Sequence, residues 1–165
     1  LTSVVPVLFR QQRSGLENNP FTCLKSRTMF VNDKADTLQA AGDDKRITAV
    51  GKFLRETSLD ELPQFVNVLR GDMSIVGPRP HMLYHTELYS ALIPDYMHRL
   101  TVKPGITGVA QVLGYRGETP ELADMARRVR LDLWYVNRRS FKLDLYLFIH
   151  TLFDFLKMNI KYLYI

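Results

Sequence analysis

Residues 58–80 constrain the fold more than any other part of the chain. Pro63 has no N–H, so it is comfortable only in the first turn of a helix. Leu62, Phe65, Val66 and Leu69 recur at i, i+3, i+4 and i+7, which predicts an apolar helical face. Together they start a helix near 58–60. Ser58 and Glu61 have capping-box spacing; alternatively Asp60 is the N-cap and Pro63 takes a position whose backbone donor would be orphaned anyway. Both readings place Asp60 and Glu61 at the positive end of a helix, where carboxylate charge is favoured and its pKa lowered. Residues 73–76 read as a short buried strand. Gly77-Pro78-Arg79-Pro80 then forms an extended turn, because each proline restricts its predecessor.

The remaining pattern is mixed. Residues 4–10 suggest a strand broken by Pro6, and residues 21–29 a second one. The turn residues of 14–20 between them give a hairpin-like pair. Residues 31–46 are polar and read as a loop or short helix. Thr48 caps a helix reaching about Glu56. Residues 81–100 read as helical with a break near Pro94. Lys103-Pro104-Gly105 reads as a turn and 109–113 as a short strand. Thr119-Pro120-Glu121 opens a helix carrying Leu122, Met125, Val129, Leu133 and Val136. In 143–165 the polar residues His150, Asp154, Lys157 and Lys161 form one narrow stripe on an otherwise apolar helix. That arc suits a helix lying in a membrane interface, or one docked on a large core. The expected fold is mixed α/β, predominantly helical, with a small N-terminal β element, in one domain over 1–165.

Composition narrows the partners. With 22 Lys+Arg against 17 Asp+Glu, the 165-residue chain carries +5, which favours anionic partners: phosphorylated metabolites, an acidic membrane surface or nucleic acid. The single cysteine, Cys23, excludes an internal disulfide and a multi-cysteine zinc site. No stretch approaches the roughly 18–20 apolar residues of a transmembrane helix. Arg127, Arg128 and Arg130 form a basic cluster, but Asp124 and Asp132 flank it, so a nucleic-acid module is the weaker reading.

Four groups of residues carry chemistry. An ionised Asp60 can bind Mg²⁺ or act as a nucleophile, while the blander reading of Asp60-Glu61 is a capping box. Arg79, held between two prolines, presents its planar fork with little entropy left to lose, which suits a phosphate; a solvated turn would look the same. Arg10, Arg13, Lys25 and Arg27 make a phosphate-facing patch if the two N-terminal strands pair. The glycine-rich stretch 103–119, with Lys103 and Arg116, permits close backbone approach to a ligand, although no phosphate-loop signature is present. His81, His85, His98 and His150 lack metal-site spacing and read as packing or solvent residues.

Read together, VLFRQQRSG (7–15), KSRTM (25–29), FLRETSLDELPQFVNVLRGDMSIVGPRP (53–80), VKPGITGVAQVLGYRGE (102–118) and RVRLDLWYV (128–136) resemble the bacterial sugar transferase family. These are monotopic phosphoglycosyl transferases. The resemblance implies transfer of a hexose-1-phosphate from a UDP-sugar, glucose rather than galactose, to undecaprenyl phosphate, with release of UMP. It implies Asp60 as the nucleophile that takes the sugar-phosphate, and Glu61 as its partner in Mg²⁺ or proton handling. Mg²⁺ would sit on Asp60 and be shared with Glu61. By the resemblance Lys25, Arg55 and Arg79 would bind the phosphates, and Arg27, Lys103 and Arg116 would join them from the basic patch and the glycine-rich stretch. It further implies the cytoplasmic face of the bacterial inner membrane, with 143–165 as an interfacial helix and no nucleic-acid partner; the oligomeric state is left open. The family usually carries an apolar re-entrant helix before the VLFRQ stretch. Only Leu1–Pro6 precede it here, so that anchor is expected outside this chain. Ser26 replaces the family's aromatic, which should alter packing beside Lys25.

Overall fold

The structure, a computed structural model, describes residues 6–31, 37 and 44–163. Most of the polar stretch 31–46 therefore lies outside the described residues. Strand β1 (Leu8–Ser14) pairs antiparallel with β2 (Pro20–Ser26), in register from Leu8 opposite Ser26 to Ser14 opposite Pro20. The hairpin is the expected one, and β1 begins after Pro6. The turn between the strands is tight: the Gly15 N–H donates to the Asn19 carbonyl, and Glu17 and Asn18 both take left-handed backbone angles.

Helix α1 (Ala49–Glu56) is capped as expected, with the Thr48 hydroxyl accepting from the Gly51 N–H at 2.9 Å. The next helix differs from expectation. Ser58 adopts φ 60° and makes no capping bond, Leu59–Glu61 form a separate 3₁₀ turn, and α2 (Gln64–Arg70) starts only after Pro63. The left-handed residue breaks the chain direction, so the capping box is not built.

Helix α2 is also turned inside out. It buries its polar residues, Gln64 and Asn67, and leaves Leu62, Phe65, Val66 and Leu69 at 40–88% exposure. The Asn67 amide explains the orientation. Its Oδ1 accepts from the Leu24 N–H at 3.0 Å, and its Nδ2 donates to the Thr22 carbonyl at 2.8 Å and to Asp72 at 3.0 Å. These bonds pin α2 to β2 by its polar side and satisfy groups that would be costly to bury alone.

Strand β3 (Ser74–Val76) lies where expected, paired parallel with β4 (Gly105–Thr107). The second strand thus begins at Gly105, the last residue of the stretch read as a turn, and residues 109–113, read as a strand, form a short helix, α4 (Val109–Val112). Gly105 permits the pairing: a Cβ there would lie 2.1 Å from the Gly77 nitrogen. Between the two strands run α3 (Leu83–Leu92) and a 3₁₀ segment, Tyr96–Thr101, broken at Pro94 as expected. Helix α5 (Leu122–Arg138) starts two residues past Pro120, and α6 (Phe141–Leu163) follows it directly. The core comprises three small clusters: Val76, Val109, Tyr135 and Leu147; Ile93, Tyr96, Met125 and Val129; and Phe21, Cys23 and Met73. The architecture is mixed α/β, mostly helical, as expected. No described helix is long and apolar enough to cross a membrane.

Candidate active site

A cleft of about 1300 Å³ opens between the hairpin, α1, the 58–61 turn and the Gly77–Pro80 turn. The left-handed Ser58 turns the chain so that Asp60 and Glu61, adjacent in sequence, are both buried, at 8% and 6% exposure. Their surroundings differ sharply.

Glu61 is the centre of a cation cluster. Its Oε1 accepts from Lys25 Nζ and Arg79 Nη2, both at 2.9 Å, and its Oε2 accepts from Arg116 Nη2 at 2.7 Å. The three donors come from β2, the proline turn and the glycine-rich stretch. Burial alone would raise the Glu61 pKa, but Arg79, Lys25 and Arg116 together hold its carboxyl well below the usual range. Glu61 therefore stays ionised at neutral pH. Arg79 is raised in turn, chiefly by the Glu61 charge. Burial pushes the Lys25 ammonium down, against the pull of Glu61.

Asp60 lines the cleft, and among the described residues no hydrogen bond or ion pair engages its carboxylate. Burial raises its pKa, the nearby Lys25 charge opposing that shift. This corrects the expectation of a lowered value. A 3₁₀ turn of three residues offers little dipole, and desolvation dominates.

The other basic residues divide. Arg55 lines the cleft and donates Nε to the Thr28 hydroxyl at 3.0 Å. Arg27 lines it too, donating Nε to the Pro6 carbonyl and lying over the Phe9 ring. Arg10, Arg13 and Lys25 join them once the strands pair. Lys103 does not reach the cleft. It faces a second cavity with Arg139 and Asp144, because its segment pairs as a strand instead of looping toward Asp60.

The structure also supplies groups that the sequence patterns did not single out for the site. Ser58 accepts from Arg116 Nη1 at 2.7 Å. His81 and His85 are buried in the cleft wall. From α5, Asp132 Oδ2 accepts from Arg99 Nη2 at 2.7 Å, and Arg99 Nη2 also donates to the Arg79 carbonyl at 2.6 Å. One turn earlier, Arg128 Nη2 donates to the Gly117 carbonyl beside Arg116. One face of α5 thus supports the backbone of two of the arginines that meet Glu61. The i, i+4 spacing of Arg128 and Asp132 was the only sequence signal for this.

The described residues contain no group of three His, Cys, Asp or Glu side chains suited to a metal ion. Mg²⁺ requires fewer protein ligands, commonly one or two carboxylates plus substrate phosphates. The free Asp60 carboxylate meets that requirement. Glu61 has three donors on roughly four acceptor positions, leaving room at the Oε2 edge.

The family model described as "Bacterial sugar transferase" matches residues 1–158. Among the relatives is a UDP-glucose:undecaprenyl-phosphate glucose-1-phosphate transferase of Klebsiella pneumoniae, 53% identical over 153 residues, covering 92% of this chain and 33% of that protein. The protein of the same name from Escherichia coli (strain K12) is 54% identical over 155 residues, covering 93% and 33%. One from Caulobacter vibrioides is 49% identical over 152 residues, covering 92% and 57%. The chain thus spans between a third and three-fifths of the length of these relatives. On this extent of agreement, the chain belongs to the bacterial sugar transferase family.

Proposed function

We propose that this chain carries the catalytic site of a phosphoglycosyl transferase, moving hexose-1-phosphate from a UDP-sugar to undecaprenyl phosphate and so opening exopolysaccharide or glycoconjugate synthesis. The observation that carries this reading is the contrast between two adjacent carboxylates. Glu61 is held by three cations, while Asp60 stands free and desolvated in a cleft lined by guanidinium groups. An Asp60 oxygen attacks the sugar-bearing phosphorus, the bond to the bridging oxygen breaks, and UMP leaves with the electron pair. An oxygen of undecaprenyl phosphate then attacks the same phosphorus and releases the Asp60 carboxylate. Arg55, Arg79, Lys25 and Arg116 hold the charge that develops on the phosphoryl oxygens, and Glu61 keeps three of these cations in place. Asp60 and the Oε2 edge of Glu61 would hold Mg²⁺, which when bound neutralises diphosphate charge. The strongly depressed pKa of Glu61 favours that role over proton transfer.

Glucose is the proposed sugar, in line with the names of the relatives at 49–54% identity. A relative at 40% is named for N-acetylgalactosamine. The proposed location is the cytoplasmic face of the inner membrane. The exposed apolar side of α2 and the apolar residues of α6, Leu152, Phe153 and Leu156 among them, favour an interfacial role. Asn159 on α6 donates to the Thr57 carbonyl at 3.4 Å, so this helix ends beside the Ser58–Asp60 turn. The test is UMP release from UDP-glucose with Mg²⁺ and a polyprenyl phosphate. Asp60→Asn should abolish it, with loss of a phospho-sugar adduct by mass spectrometry. Unchanged turnover in that variant would remove the nucleophile.

A further inference from the structure

The cleft that contains Asp60 has a second set of polar groups in its wall, on the α5 side of Arg79. Arg128 is 2% exposed, yet among the described residues its guanidinium makes one hydrogen bond, to the Gly117 carbonyl, and its Nε has no partner. His81 is 3% exposed; its Nδ1 meets the Tyr96 hydroxyl, and its Nε2 has no partner among the described residues. Both residues line the cleft. Buried polar groups are ordinarily satisfied, and buried charges are paired. Here the carboxylate facing Arg128, Asp132, is engaged by Arg99, whose own Nη1 is also unpartnered. Arg79 and Arg99 add like charge nearby. Burial, with that repulsion, pushes Arg128 down to about 10. Burial, with the Arg99, Arg128 and Arg13 charges, pushes His81 well below its usual value, so its imidazole is neutral. In the tautomer in which the Tyr96 hydroxyl donates to Nδ1, the Nε2–H is a donor without an acceptor among the described residues. The set is a planar fork and a neutral N–H, both lacking an anion.

We propose that Arg128 and His81 form a second phosphate subsite, which takes a phosphate monoester while the sugar-bearing phosphate lies at Asp60. The inference rests on the transferase reading, in which two such groups visit the cleft: the phosphate of UMP and that of the polyprenyl acceptor. The fork of Arg128 matches two phosphate oxygens, and His81 donates to a third. Arg79, which bonds Glu61 and whose charge acts on Arg128, links the two sets of groups.

The test measures binding without turnover. Isothermal titration of UMP, of uridine and of a short-chain polyprenyl phosphate is run on the full chain carrying Asp60→Asn, with and without Arg128→Met or His81→Leu. Arg128→Met should weaken UMP at least tenfold and leave uridine unchanged, and His81→Leu should weaken UMP several-fold. Selective weakening of the polyprenyl phosphate instead would assign the same subsite to the acceptor. Parallel loss of UMP and uridine would mark Arg128 as a prop for the Arg116 loop and overturn the proposal. Unchanged binding of both phosphates in either variant would also overturn it. His81→Leu does not touch that loop, so it decides the matter if Arg128→Met fails to fold. Normal turnover of the Asp60→Asn protein would count against the nucleophile alone and is read separately.

Discussion

Replacing Glu61 with Gln removes the anion on which Lys25, Arg79 and Arg116 converge. The side chain of Glu61 is 7% exposed, while those of Lys25 and Arg79 are about one-fifth exposed and that of Arg116 is 40% exposed. Removing one member of a buried pair costs about 3–5 kcal/mol. Water around the three cations screens part of this, and the Arg116 contact contributes least. The expected loss is about 3 kcal/mol at pH 7. For a chain of this size that lowers Tm by about 6–12 °C. The pH dependence is the sharper signature. The folded pKa of Glu61 lies well below 4.5. Its contribution is therefore complete above pH 4.5 and is lost as pH falls through the folded value. The assay is thermal or urea denaturation of both proteins from pH 7 to pH 3, read as the difference between them. A gap under about 1 kcal/mol at pH 7, or one that stays constant into acid, would refute the reasoning.

Other outcomes follow from the same geometry. Asp60 has the opposite sign: its raised pKa means a contribution present below pH 3.8 and lost as pH rises through the folded value. Asp60→Asn should thus melt at or above wild type at pH 7, with the difference gone below pH 3.8; a marked drop in Tm at neutral pH would contradict this. Gly105→Ala places a Cβ 2.1 Å from the Gly77 nitrogen; it should cost about 2–3 kcal/mol in urea unfolding. Leu152→Asp with Phe153→Asp, at 47% and 58% exposed positions, should reduce flotation with anionic liposomes while leaving stability within about 0.5 kcal/mol per site. Unchanged flotation would remove α6 from the membrane reading.

The legible parts of the chain were those set by local chemistry. Thr48 capped α1, Pro94 broke the helix after α3, the turn residues of 14–20 closed the hairpin, and pairing of its strands gathered the basic residues. Misplaced elements were governed by tertiary contact. Gly105 looks like the end of a turn in isolation, and 105–107 become a strand because Gly77 and Gly105 allow two backbones to touch. Residues 109–113 were apolar enough for a strand, but form a helix against the core. The apolar periodicity of α2 was real, but its direction depended on Asn67 bonding to β2, which periodicity cannot show. Likewise, Asp60-Glu61 looked like a cap. What separates their roles is long-range: Lys25, Arg79 and Arg116 lie 36, 18 and 55 residues from Glu61.

The inversion of α2 has a practical corollary. Since the Asn67 amide anchors this helix to the hairpin, its apolar flank stays 40–88% exposed and should tolerate polar substitution better than a core face. Substituting hydrophilic residues for Phe65, Val66 and Leu69 should remove apolar surface from this face and leave the Asp60 turn in place, so that liposome attachment and turnover can be measured apart.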